Sequence, residues 1–436
     1  MRIQTNQRTL SLGDISAVLI AHEADARHKL KLKRYFNGRH DEILRKRARE
    51  NTEVNNRLIS NYCSYITSMS TGFFIGQPVT YRAISKDEHE LEPLLEIFKY
   101  NDEAAHNYSL AEEASITGEA FEFLYIDSDA KIRFATVPSE EVVIICDATL
   151  EENIIFAIRH YRVYDLDQIT YNEFVDVYDA SEIKHYTYSG GTLRHIGSEQ
   201  HYFGEVPVIE FPNNKQRRGD FEDVISLVDA YNLAQSLTLD DLEDFTDAFL
   251  ILKNMHFSTD EEARDLRRRK IIDCDENGDA SWLIKNLNDT YVENCKKRLV
   301  SDIHKFSCVP DMSDENFAGN ASGVAISYKL IGLQQICARK QREFKKALQR
   351  RIELIAGILK LKEQAQIDFR DIDINFTINL PQDLLILAQV INSLDGLVSQ
   401  KTLLSLLPFV TEPREELDEL DHERAENNSD LYLEES

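Results

Sequence analysis

Three side chains that could ligate a metal ion stand close together in the sequence: Asp273, Asp275 and Asn277, followed by Gly278. Their spacing matches positions 1, 3, 5 and 6 of a calcium-binding loop, in which oxygen atoms surround the cation. Position 12 of such a loop is a bidentate glutamate, but Ile284 stands there in this chain. The flanking stretches have the composition of strands, and an Asn-Gly pair between strands is typical of a tight hairpin turn. The pattern therefore favours a turn, with a calcium site and a calcium-dependent hydrolase as the alternative.

Other catalytic signatures are absent from the sequence. It contains no phosphate-binding G-x-x-x-x-G-K-[ST] loop, no H-E-x-x-H zinc motif and no G-x-S-x-G nucleophile turn. The six cysteines form no C-x-x-C pair, which argues against a zinc ribbon or a thioredoxin-like centre and is typical of a reducing cytoplasm. We therefore expect a protein that is not an enzyme and that has no catalytic residue, cofactor or metal.

The composition is that of a large, acidic, globular chain. Its 436 residues are 42% hydrophobic, which is enough for a sizeable core in more than one domain or in one elaborate domain. The net charge of −26 argues against a protein that grips nucleic acid, because phosphate binding needs clustered lysine and arginine. No apolar run approaches a membrane span, and the N-terminus lacks the apolar core of a signal peptide. We expect a soluble intracellular protein.

One stretch, 220–249, carries nine acidic residues and neither lysine nor arginine. The acidic residues are Asp220, Glu222, Asp223, Asp229, Asp240, Asp241, Glu243, Asp244 and Asp247. Apolar residues recur in it at helical spacing, namely Val224, Val228, Tyr231, Leu242, Phe245 and Phe249. Since a helix normally mixes charges of both signs, the pattern predicts a helix with a long surface of one sign. A solvated acidic face is the simplest interpretation, and a surface that meets a basic partner is the alternative.

A second helix is predicted over 290–306, and its charge is opposite. One face carries the apolar residues Val292, Cys295, Leu299, Ile303 and Phe306. The other faces carry the cations Lys296, Lys297, Arg298, His304 and Lys305. The strongest basic cluster lies between the two helices, at Arg267, Arg268, Arg269 and Lys270. We interpret this cluster as a solvated helix end or as a docking patch for another protein. DNA binding comes third, because the cluster is short and lacks interleaved aromatic residues.

The rest of the chain alternates between helical and strand-like patterns. Helices are predicted over 53–71, 101–117, 324–360 and 383–425. Strands are predicted over 119–127, 131–137, 141–146, 154–164, 173–178, 182–188, 249–252, 271–273, 281–287 and 371–380. For residues 1–50 the pattern predicts either a solvated helix and turn or a contact arm. For the last ten residues it predicts a tail. This order indicates an α+β fold with a mostly antiparallel β region between helical regions.

Several stretches stand in an order that is familiar. They are YFNGRHDEILR at 35–45, NRLISNYCSYITSMSTGFFIGQPVTY at 56–81, GEAFEFLYIDSDAKIRFATVPSEEVVII at 118–145, FGEVPVIEFPNNKQRRGDFEDVISLVDAYN at 203–232, SGVAISYKL at 322–330 and SQKTLLSLLPFV at 399–410. Taken together, they resemble the phage portal proteins of the SPP1-type family over roughly 20–420. No single stretch is a catalytic signature, so the ordered set carries the resemblance.

The resemblance implies a ring, usually of twelve subunits, around a channel at one capsid vertex through which double-stranded DNA enters and leaves. It implies a portal fold whose regions are an N-terminal arm at 1–50, a β-rich first part of the wing at 51–218, a first stem helix at 219–248, a clip at 249–289, a second stem helix at 290–308, a tunnel loop at 309–322, a second part of the wing at 323–382, and a crown with an acidic tail at 383–436. The implied partners are further copies of the chain, the terminase large subunit, the head–tail adaptor, the major capsid and scaffolding proteins, and DNA without sequence preference. No membrane is implied, and the protein would assemble in the host cytoplasm into the virion.

On this resemblance, the two presumed stem helices have complementary roles. The first contributes Asp240, Asp241, Asp244 and Asp247, and the second contributes Lys296, Lys297, Arg298 and Lys305. These groups would pair between neighbouring subunits, and unpaired acids would face the channel, where negative charge keeps DNA mobile.

The resemblance also implies roles for two further regions. The tunnel loop would approach DNA most closely, through Asp311, Asp314, Glu315, Asn316, Gly319 and Asn320. The cluster Arg267, Arg268, Arg269 and Lys270 would dock the packaging motor and later the tail adaptor. Without a nucleotide-binding motif, the chain is not expected to be the packaging ATPase itself. The alternative is another oligomeric virion or scaffold protein that has no channel.

Overall fold

The computed structural model describes residues 1–48, 54–85, 91–246, 249–253, 279–283, 289–312, 323–378, 384–404, 406–407, 410 and 416–422. The chain divides into two compact units, Met1–Ile378 and Asn379–Ser436. Among the residues in these ranges, no helix is both long enough and apolar enough to cross a membrane.

The first unit contains two main sheets. In chain order its strands are β1 Arg2–Gln4, β2 Thr80–Ala83, β3 Glu119–Ile126, β4 Ile132–Val137, β5 Val142–Cys146, β6 Ile154–Tyr164, β7 Tyr171–Tyr178, β8 Glu182–Ser189, β9 Thr192–Gln200, β10 Val208–Pro212, β11 Phe249–Lys253, β12 Asp279–Leu283 and β13 Ile372–Asn375. Six strands form one sheet in the order β1-β5-β6-β7-β8-β9, and three form another in the order β10-β3-β4. Strand β11 pairs with β12, and β13 pairs with β2. All of these pairs are antiparallel except β1 with β5.

Helices surround these sheets. In the first unit they are α1 Leu12–Phe36, α2 Asp41–Leu44, α3 Tyr62–Ile75, α4 Glu92–Tyr100, α5 Glu103–Thr117, α6 Ile225–Thr246, α7 Asp289–Ser307 and α8 Gly323–Leu361. The second unit contains α9 Leu384–Leu394 and α10 Gln400–Leu404, within the region predicted to be helical. Long helices beside mostly antiparallel sheets confirm the predicted α+β class.

Most predicted elements are present, and the differences have local causes. The helix predicted over 53–71 begins only at Tyr62, where the Asn61 side chain accepts the backbone N–H of Ser64 and caps it. Strand β9 was not predicted, and it follows a turn in which Gly190 and Gly191 both have positive φ, as a two-residue hairpin turn requires. Helix α4 and strand β1 were also not predicted, because both are short.

The N-terminal region is part of the first unit and does not project as an arm. Strand β1 pairs with β5 inside the six-stranded sheet. Helix α1 starts at a capping box in which Ser11 and Asp14 satisfy each other's backbone N–H groups. Its side chains Ile15 and Leu19 are buried in the core of that sheet. The predicted helix and turn are therefore present, but one face of the helix is buried rather than solvated.

Strand β5, with the sequence VVIIC, is buried on both faces. Val143 and Ile145 pack in the core beneath α1, whereas Val142, Ile144 and Cys146 pack in a second core with residues of the three-stranded sheet. Successive side chains of a strand point to opposite faces, so a strand between two cores must be apolar throughout. This position explains the uninterrupted apolar run in the sequence.

Helix α8 carries a lysine into the first unit's core. The ammonium group of Lys340 is buried against the carboxylate of Asp220, and its Nζ lies 3.3 Å from the hydroxyls of both Ser70 and Ser115. Burial opposes ionisation of Asp220, but the nearby Lys340 outweighs it and lowers the pKa of the carboxyl. The group joins α3, α5 and α8 at the point where the chain enters α6.

A second cation of α8, Arg351, is fully buried about three helical turns further along. Its guanidinium contacts both carboxylate oxygens of Glu122, at 2.9 Å and 2.5 Å. It also lies 3.1 Å from Glu103 and donates to Asn107 at 2.8 Å. Such a planar fork matches a carboxylate at two points, which a lysine cannot do. Arg351 therefore fixes α8 against α5 and β3.

Two glycines bring the entry of α6 close to the end of α5. Gly118 has φ +91°, and a Cβ there would lie 2.1 Å from the carbonyl oxygen of Arg217. A Cβ on Gly219 would lie 2.4 Å from the carbonyl oxygen of Ile116. Neither position can accept a larger side chain without moving the backbone, so these glycines determine where α6 begins.

Candidate functional site

Helices α6 and α7, the two helices of opposite charge, pack against each other and form the candidate functional site. The buried positions of α6 and the residue before it recur at every fourth residue. They are Val224, Val228, Asn232, Ser236 and Asp240. The first two are apolar, as predicted, but the last three are polar.

The predicted apolar stripe is therefore wrong at Leu242, in the second half of α6. Leu242, which was assigned to that stripe, is 62% exposed. A polar face can be buried only where each donor and acceptor finds a partner. The partners come from the extended segment 54–61, which runs along α6.

This extended segment is joined to α6 by a ladder of three hydrogen bonds. The bonds run from Ser60 N–H to Asn232 Oδ1 at 2.8 Å, from Leu58 N–H to Ser236 Oγ at 2.9 Å and from Asn56 N–H to Asp240 Oδ1 at 2.7 Å. Four residues of helix rise about 6 Å, and two residues of extended chain span about 6.6 Å. The two spacings match closely enough for successive rungs to form. Side-chain oxygens of α6 thus accept the backbone N–H groups of the extended segment, as backbone carbonyls of a neighbouring strand would do in a sheet.

Asp240 at the last rung also forms an ion pair with Lys46. The Nζ of Lys46 lies 2.5 Å from Asp240 Oδ2, and both side chains are buried. Burial opposes ionisation of Asp240, but the hydrogen bonds from Lys46 and Asn56 outweigh it and lower the pKa of the carboxyl. Asp240 lies on the predicted helix, but its carboxylate faces a lysine of its own chain rather than a channel or a neighbour.

Asp229, in the middle of α6, faces a buried aromatic group. The hydroxyl of Tyr35 donates to Asp229 Oδ2 at 3.0 Å, and the ring of His40 stacks on Tyr35 with centroids 4.6 Å apart. Burial raises the pKa of the Asp229 carboxyl, and the hydrogen bond from Tyr35 only partly offsets this effect. Asp229 is therefore a second acid that is directed into the first unit.

The remaining acids of the stretch fall into three groups. Some pair within the chain, as Asp220 with Lys340, Glu222 with His28 and Asp223 with Arg218. Asp241 is half-buried and Glu243 is exposed on α6. Asp244 belongs to α6, and Asp247 lies outside the described residues. The sequence alone did not distinguish the acids that face inward from those at the surface.

Helix α7 buries a slightly different face from the one predicted. Ile303 is fully buried as expected, but Lys296 is also buried, and its Nζ lies 3.1 Å from Glu293. Cys295 is exposed and Phe306 is 58% exposed, although both were assigned to the apolar face. Both residues lie at one edge of the buried stripe, where helical periodicity distinguishes buried from exposed positions least well.

Three other cations of α7 remain at its surface. Lys297 is exposed, and so is Arg298, which lies 3.4 Å from Asp302 one turn away. The Nζ of Lys305 lies 5.7 Å from the centre of the Phe306 ring. The outer face of α7 therefore combines positive charge with an exposed aromatic ring.

An aromatic cluster joins α3, α6 and α7. The rings of Tyr62 and Tyr231 meet edge to face at 5.5 Å, and His304 meets both Tyr62 and Tyr65 edge to face at 5.8 Å. Burial, together with the neighbouring Tyr231, raises the pKa of Tyr62 to about 12. A cavity of about 430 Å³ opens beside this cluster, and Asp311 lies at its wall.

The same cluster holds the chain as it leaves α7. The hydroxyl of Tyr65 donates to the carbonyl oxygen of Pro310 at 2.8 Å and accepts the N–H of Met312 at 3.0 Å. His304 Nδ1 lies 2.9 Å from the carbonyl oxygen of Val309. Since a carbonyl only accepts, Nδ1 carries the proton. Three hydrogen bonds thus fix the first residues of the predicted tunnel loop.

The end of α7 also meets α8 closely. Cys308 has φ +56°, which ends α7 in the left-handed region, and a Cβ on Gly332 would lie 3.3 Å from the Cys308 Cβ. Of the predicted tunnel-loop residues, Asp311 is half-buried at the cavity wall. The others lie outside the described residues and are Asp314, Glu315, Asn316, Gly319 and Asn320.

The predicted clip is represented by one strand pair. Strands β11 and β12 are antiparallel, and their register runs from Phe249 opposite Leu283 to Lys253 opposite Asp279. The docking cluster and the calcium-loop residues lie outside the described part of the chain and are Arg267, Arg268, Arg269, Lys270, Asp273, Asp275 and Asn277. Among the described residues, no group of three or more His, Cys, Asp or Glu side chains could hold a metal ion.

Sequence reasoning missed the residues that support α6. Lys46 lies in a basic run that was interpreted as solvated, and Ser236 was given no role. A usable signal existed in the four-residue spacing of Asn232, Ser236 and Asp240, which continues the spacing of the buried valines. Their partners cannot be found from spacing, since they lie more than 170 residues away.

Comparison with known proteins adds a family-level finding. Residues 16–430 match the family model described as phage portal protein, SPP1 Gp6-like. The portal protein of Bacillus phage SPP1 is 24% identical over 399 residues, which cover 86% of this chain and 77% of that protein. The portal protein of Clostridium phage phiCD119 is 25% identical over 456 aligned residues, which cover 98% of this chain and 96% of that protein.

Proposed function

This chain belongs to the SPP1 Gp6-like family of phage portal proteins, and from that premise we propose that it assembles into a closed ring of twelve copies at one capsid vertex. Double-stranded DNA is packaged and later ejected through the channel of this ring. The family consists of structural phage proteins, so the chain is not an enzyme. Its place of action is the virion, after assembly in the host cytoplasm.

The observation that carries this proposal is the packed pair α6 and α7. One helix has only acidic ionised groups, while the other exposes Lys297, Arg298 and Lys305. In a ring, the exposed cations of one copy meet carboxylates of the next copy, and opposite potentials set the register of assembly. Because Asp229 and Asp240 face inward, this contact involves the acids at the surface of α6, such as Glu243.

The predicted tunnel loop, 309–322, makes the nearest approach to DNA in this proposal. The anchoring of its first residues by Tyr65 and His304 supports this role, because a loop that meets a moving polymer needs a fixed base. Contacts with DNA are weak and independent of sequence. Asp311 and the polar residues that follow it in the sequence fit such contacts, since they carry no positive charge.

The predicted clip docks the terminase large subunit during packaging and the head–tail adaptor afterwards. The basic cluster that begins at Arg267 is the proposed contact, and the pairing of β11 with β12 supports it by bringing the two ends of this region together. Contacts with the major capsid and scaffolding proteins complete the proposed set of partners.

Electron microscopy of the purified full chain, together with its native mass, tests the ring. The expected result is a ring with a central hole and a mass close to twelve times 50.3 kDa. Neutralising Lys297, Arg298 and Lys305 together should weaken assembly, and raising the salt concentration should weaken assembly of the wild-type protein in the same way. A chain that stays monomeric or dimeric at every salt and protein concentration would exclude the channel. A large assembly without a hole would favour another virion or scaffold component.

A further inference from the structure

Helix α8 is strongly basic in a chain whose net charge is −26. Over Gly323–Leu361 it has nine lysine or arginine residues and two glutamates. Lys340 and Arg351 point into the core and are neutralised there. Other cations of the helix are exposed on the side that faces away from the core.

The exposed side of α8 forms a continuous surface, which we term the α8 ridge. Its residues, three or four positions apart, are Tyr328, Ile331, Gln335, Arg339, Arg342 and Lys346. They lie opposite the buried residues Leu333, Cys337 and Phe344. From 328 to 346 the ridge extends about 27 Å, at 1.5 Å per residue. No acidic residue belongs to it, so the ridge presents positive charge beside the exposed ring of Tyr328.

The arginines of the ridge differ from the other cations of α8 in their partners. Lys345 lies 2.9 Å from Asp373, and Arg350 lies 2.7 Å from Glu353. Lys346, at the end of the ridge, likewise lies 3.1 Å from Glu343. Within the ranges that the structure describes, neither Arg339 nor Arg342 has a carboxylate within 4.0 Å. In a chain with 76 acidic residues, two neighbouring arginines without an acidic partner indicate a surface that is kept for an external anion.

The chemistry of the ridge fits a phosphate backbone. Guanidinium groups bind phosphate oxygens at two points, and a tyrosine hydroxyl can donate to the same groups. A second copy of the chain offers a poorer match, because the proposed function already pairs the surface acids of its α6 with the exposed cations of α7. We propose that the α8 ridge binds the backbone of double-stranded DNA without sequence preference. The proposal rests on the proposed function only in that this function brings DNA to the protein.

The expected salt dependence of DNA affinity follows from the number of cations that contact phosphates. Two phosphate contacts, one for each arginine without an acidic partner, give a slope of about −1.8 in the logarithm of affinity against the logarithm of salt concentration. Between about 50 and 200 mM salt, this slope corresponds to a loss of about 12-fold in affinity. The negative charge elsewhere on the chain does not prevent local binding, since screening limits its reach to about 8–10 Å.

The test compares two full-length variants with the same change in formal charge. In the ridge variant, Arg339 and Arg342 are each replaced by Gln. In the control variant, the exposed residues Arg8 and Lys360 are each replaced by Gln. Fluorescence anisotropy measures binding to a labelled duplex of about 30 base pairs in two unrelated sequences, and thermal unfolding checks that each variant folds.

We expect the wild-type protein and the control variant to bind both duplexes with the same steep dependence on salt. The ridge variant should bind at least about tenfold more weakly at about 50 mM salt, with a slope reduced by about 1.8. Equal losses in the two variants would overturn the inference, and so would a wild-type protein that does not bind duplex DNA. Ridge-dependent binding to phosphatidylglycerol vesicles without binding to DNA would also overturn it, in favour of a membrane surface.

Electron microscopy of the same variants separates this inference from the proposed function. If rings form and DNA binding does not depend on the ridge, the inference fails while the channel remains. If no ring forms in any sample but binding depends on the ridge, the channel fails while the inference holds. If the ridge variant binds DNA normally but no longer forms rings, the ridge is an interface between copies and the inference is wrong.

Discussion

The Nζ of Lys46 and Oδ2 of Asp240 lie 2.5 Å apart, although 194 positions separate these residues in the chain. Asp240 also accepts the N–H of Asn56, so a single carboxylate binds both the residues after α2 and the start of the extended segment. The acidic helix is thus supported by the N-terminal part of its own chain. In a ring, this support would set the tilt of α6 before any neighbour is met.

The first prediction concerns the buried pair of Lys46 and Asp240. Lys46→Met leaves a buried carboxylate without its cation and should reduce the free energy of unfolding by about 3 kcal/mol. Asp240→Leu should have a similar effect, because it leaves the ammonium group unpaired. The double variant should lose clearly less than the sum of the two single variants, as expected for residues in direct contact. Thermal midpoints of the four proteins give this comparison.

Arg45→Met serves as the control for this cycle, because Arg45 is exposed and adjacent in sequence. It should change stability by no more than about 0.5 kcal/mol. If the losses from Lys46→Met and Asp240→Leu simply add, the two groups do not form the pair that the structure describes.

The second prediction is that this pair makes stability sensitive to acid. Free aspartate titrates near pH ~4, and the folded protein lowers the pKa of Asp240. The stabilisation by this carboxylate is therefore fully present above about pH 4 and is lost as the pH falls through the lower, folded value. The difference in thermal midpoint between wild type and Lys46→Met should shrink as the pH is lowered from about 7 to below about 4. A difference that stays constant over this range would contradict the assignment.

The third prediction concerns Asp229, where the sign is opposite. Burial raises the pKa of this carboxyl, so its charged form at neutral pH costs stability. Asp229→Asn removes that charge but retains an oxygen that can accept the Tyr35 hydroxyl. At neutral pH the variant should unfold at an equal or higher temperature than wild type. Its advantage should disappear as the pH falls through the raised pKa, because the wild-type carboxyl then becomes neutral.

Asp229→Ala is the control for that comparison, since it removes the charge and the acceptor together. It should be less stable than Asp229→Asn by about 1–2 kcal/mol, because the buried Tyr35 hydroxyl loses its partner. If Asp229→Asn destabilises the protein more at neutral pH than in acid, the carboxylate stabilises the fold and the expected sign is wrong.

The fourth prediction concerns the middle rung of the ladder. Ser236→Ala leaves the N–H of Leu58 without its acceptor and should cost about 1–2 kcal/mol. Hydrogen exchange at Leu58 should accelerate in this variant. Ser226→Ala, on the exposed face of the same helix, is the matched control and should be neutral or slightly stabilising because alanine favours helix. Equal behaviour of the two variants would show that the rung contributes nothing.

The fifth prediction concerns the close approach at Gly219. Gly219→Ala places a Cβ 2.4 Å from the carbonyl oxygen of Ile116, so the entry of α6 must shift, at a cost of about 1–3 kcal/mol. Gly197→Ala is the control, because no atom lies within 4 Å of the Cβ that it adds. Thermal unfolding of the two variants gives the comparison. A neutral Gly219→Ala would mean that this turn adapts freely.

Local patterns in the sequence determined the type and order of most elements. The apolar run of β5 and the helical periodicity of α5, α7 and α8 predicted these elements to within about two residues at most ends. These patterns are local because side chains alternate along a strand and recur every 3.6 residues along a helix. The order of stretches also identified the family, which the family match over residues 16–430 confirms.

Only the tertiary structure decided which charged groups are buried. The acidic stretch predicted a helix with a surface of one sign, yet Asp229 and Asp240 face inward while Leu242 faces outward. A carboxylate can be buried only where a cation or a donor meets it, and the partner of Asp240 is Lys46, 194 positions away. Periodicity marks which positions share a face but carries no information about distant partners. The sequence therefore determined the helix, and the folded chain determined which of its charges remain at the surface.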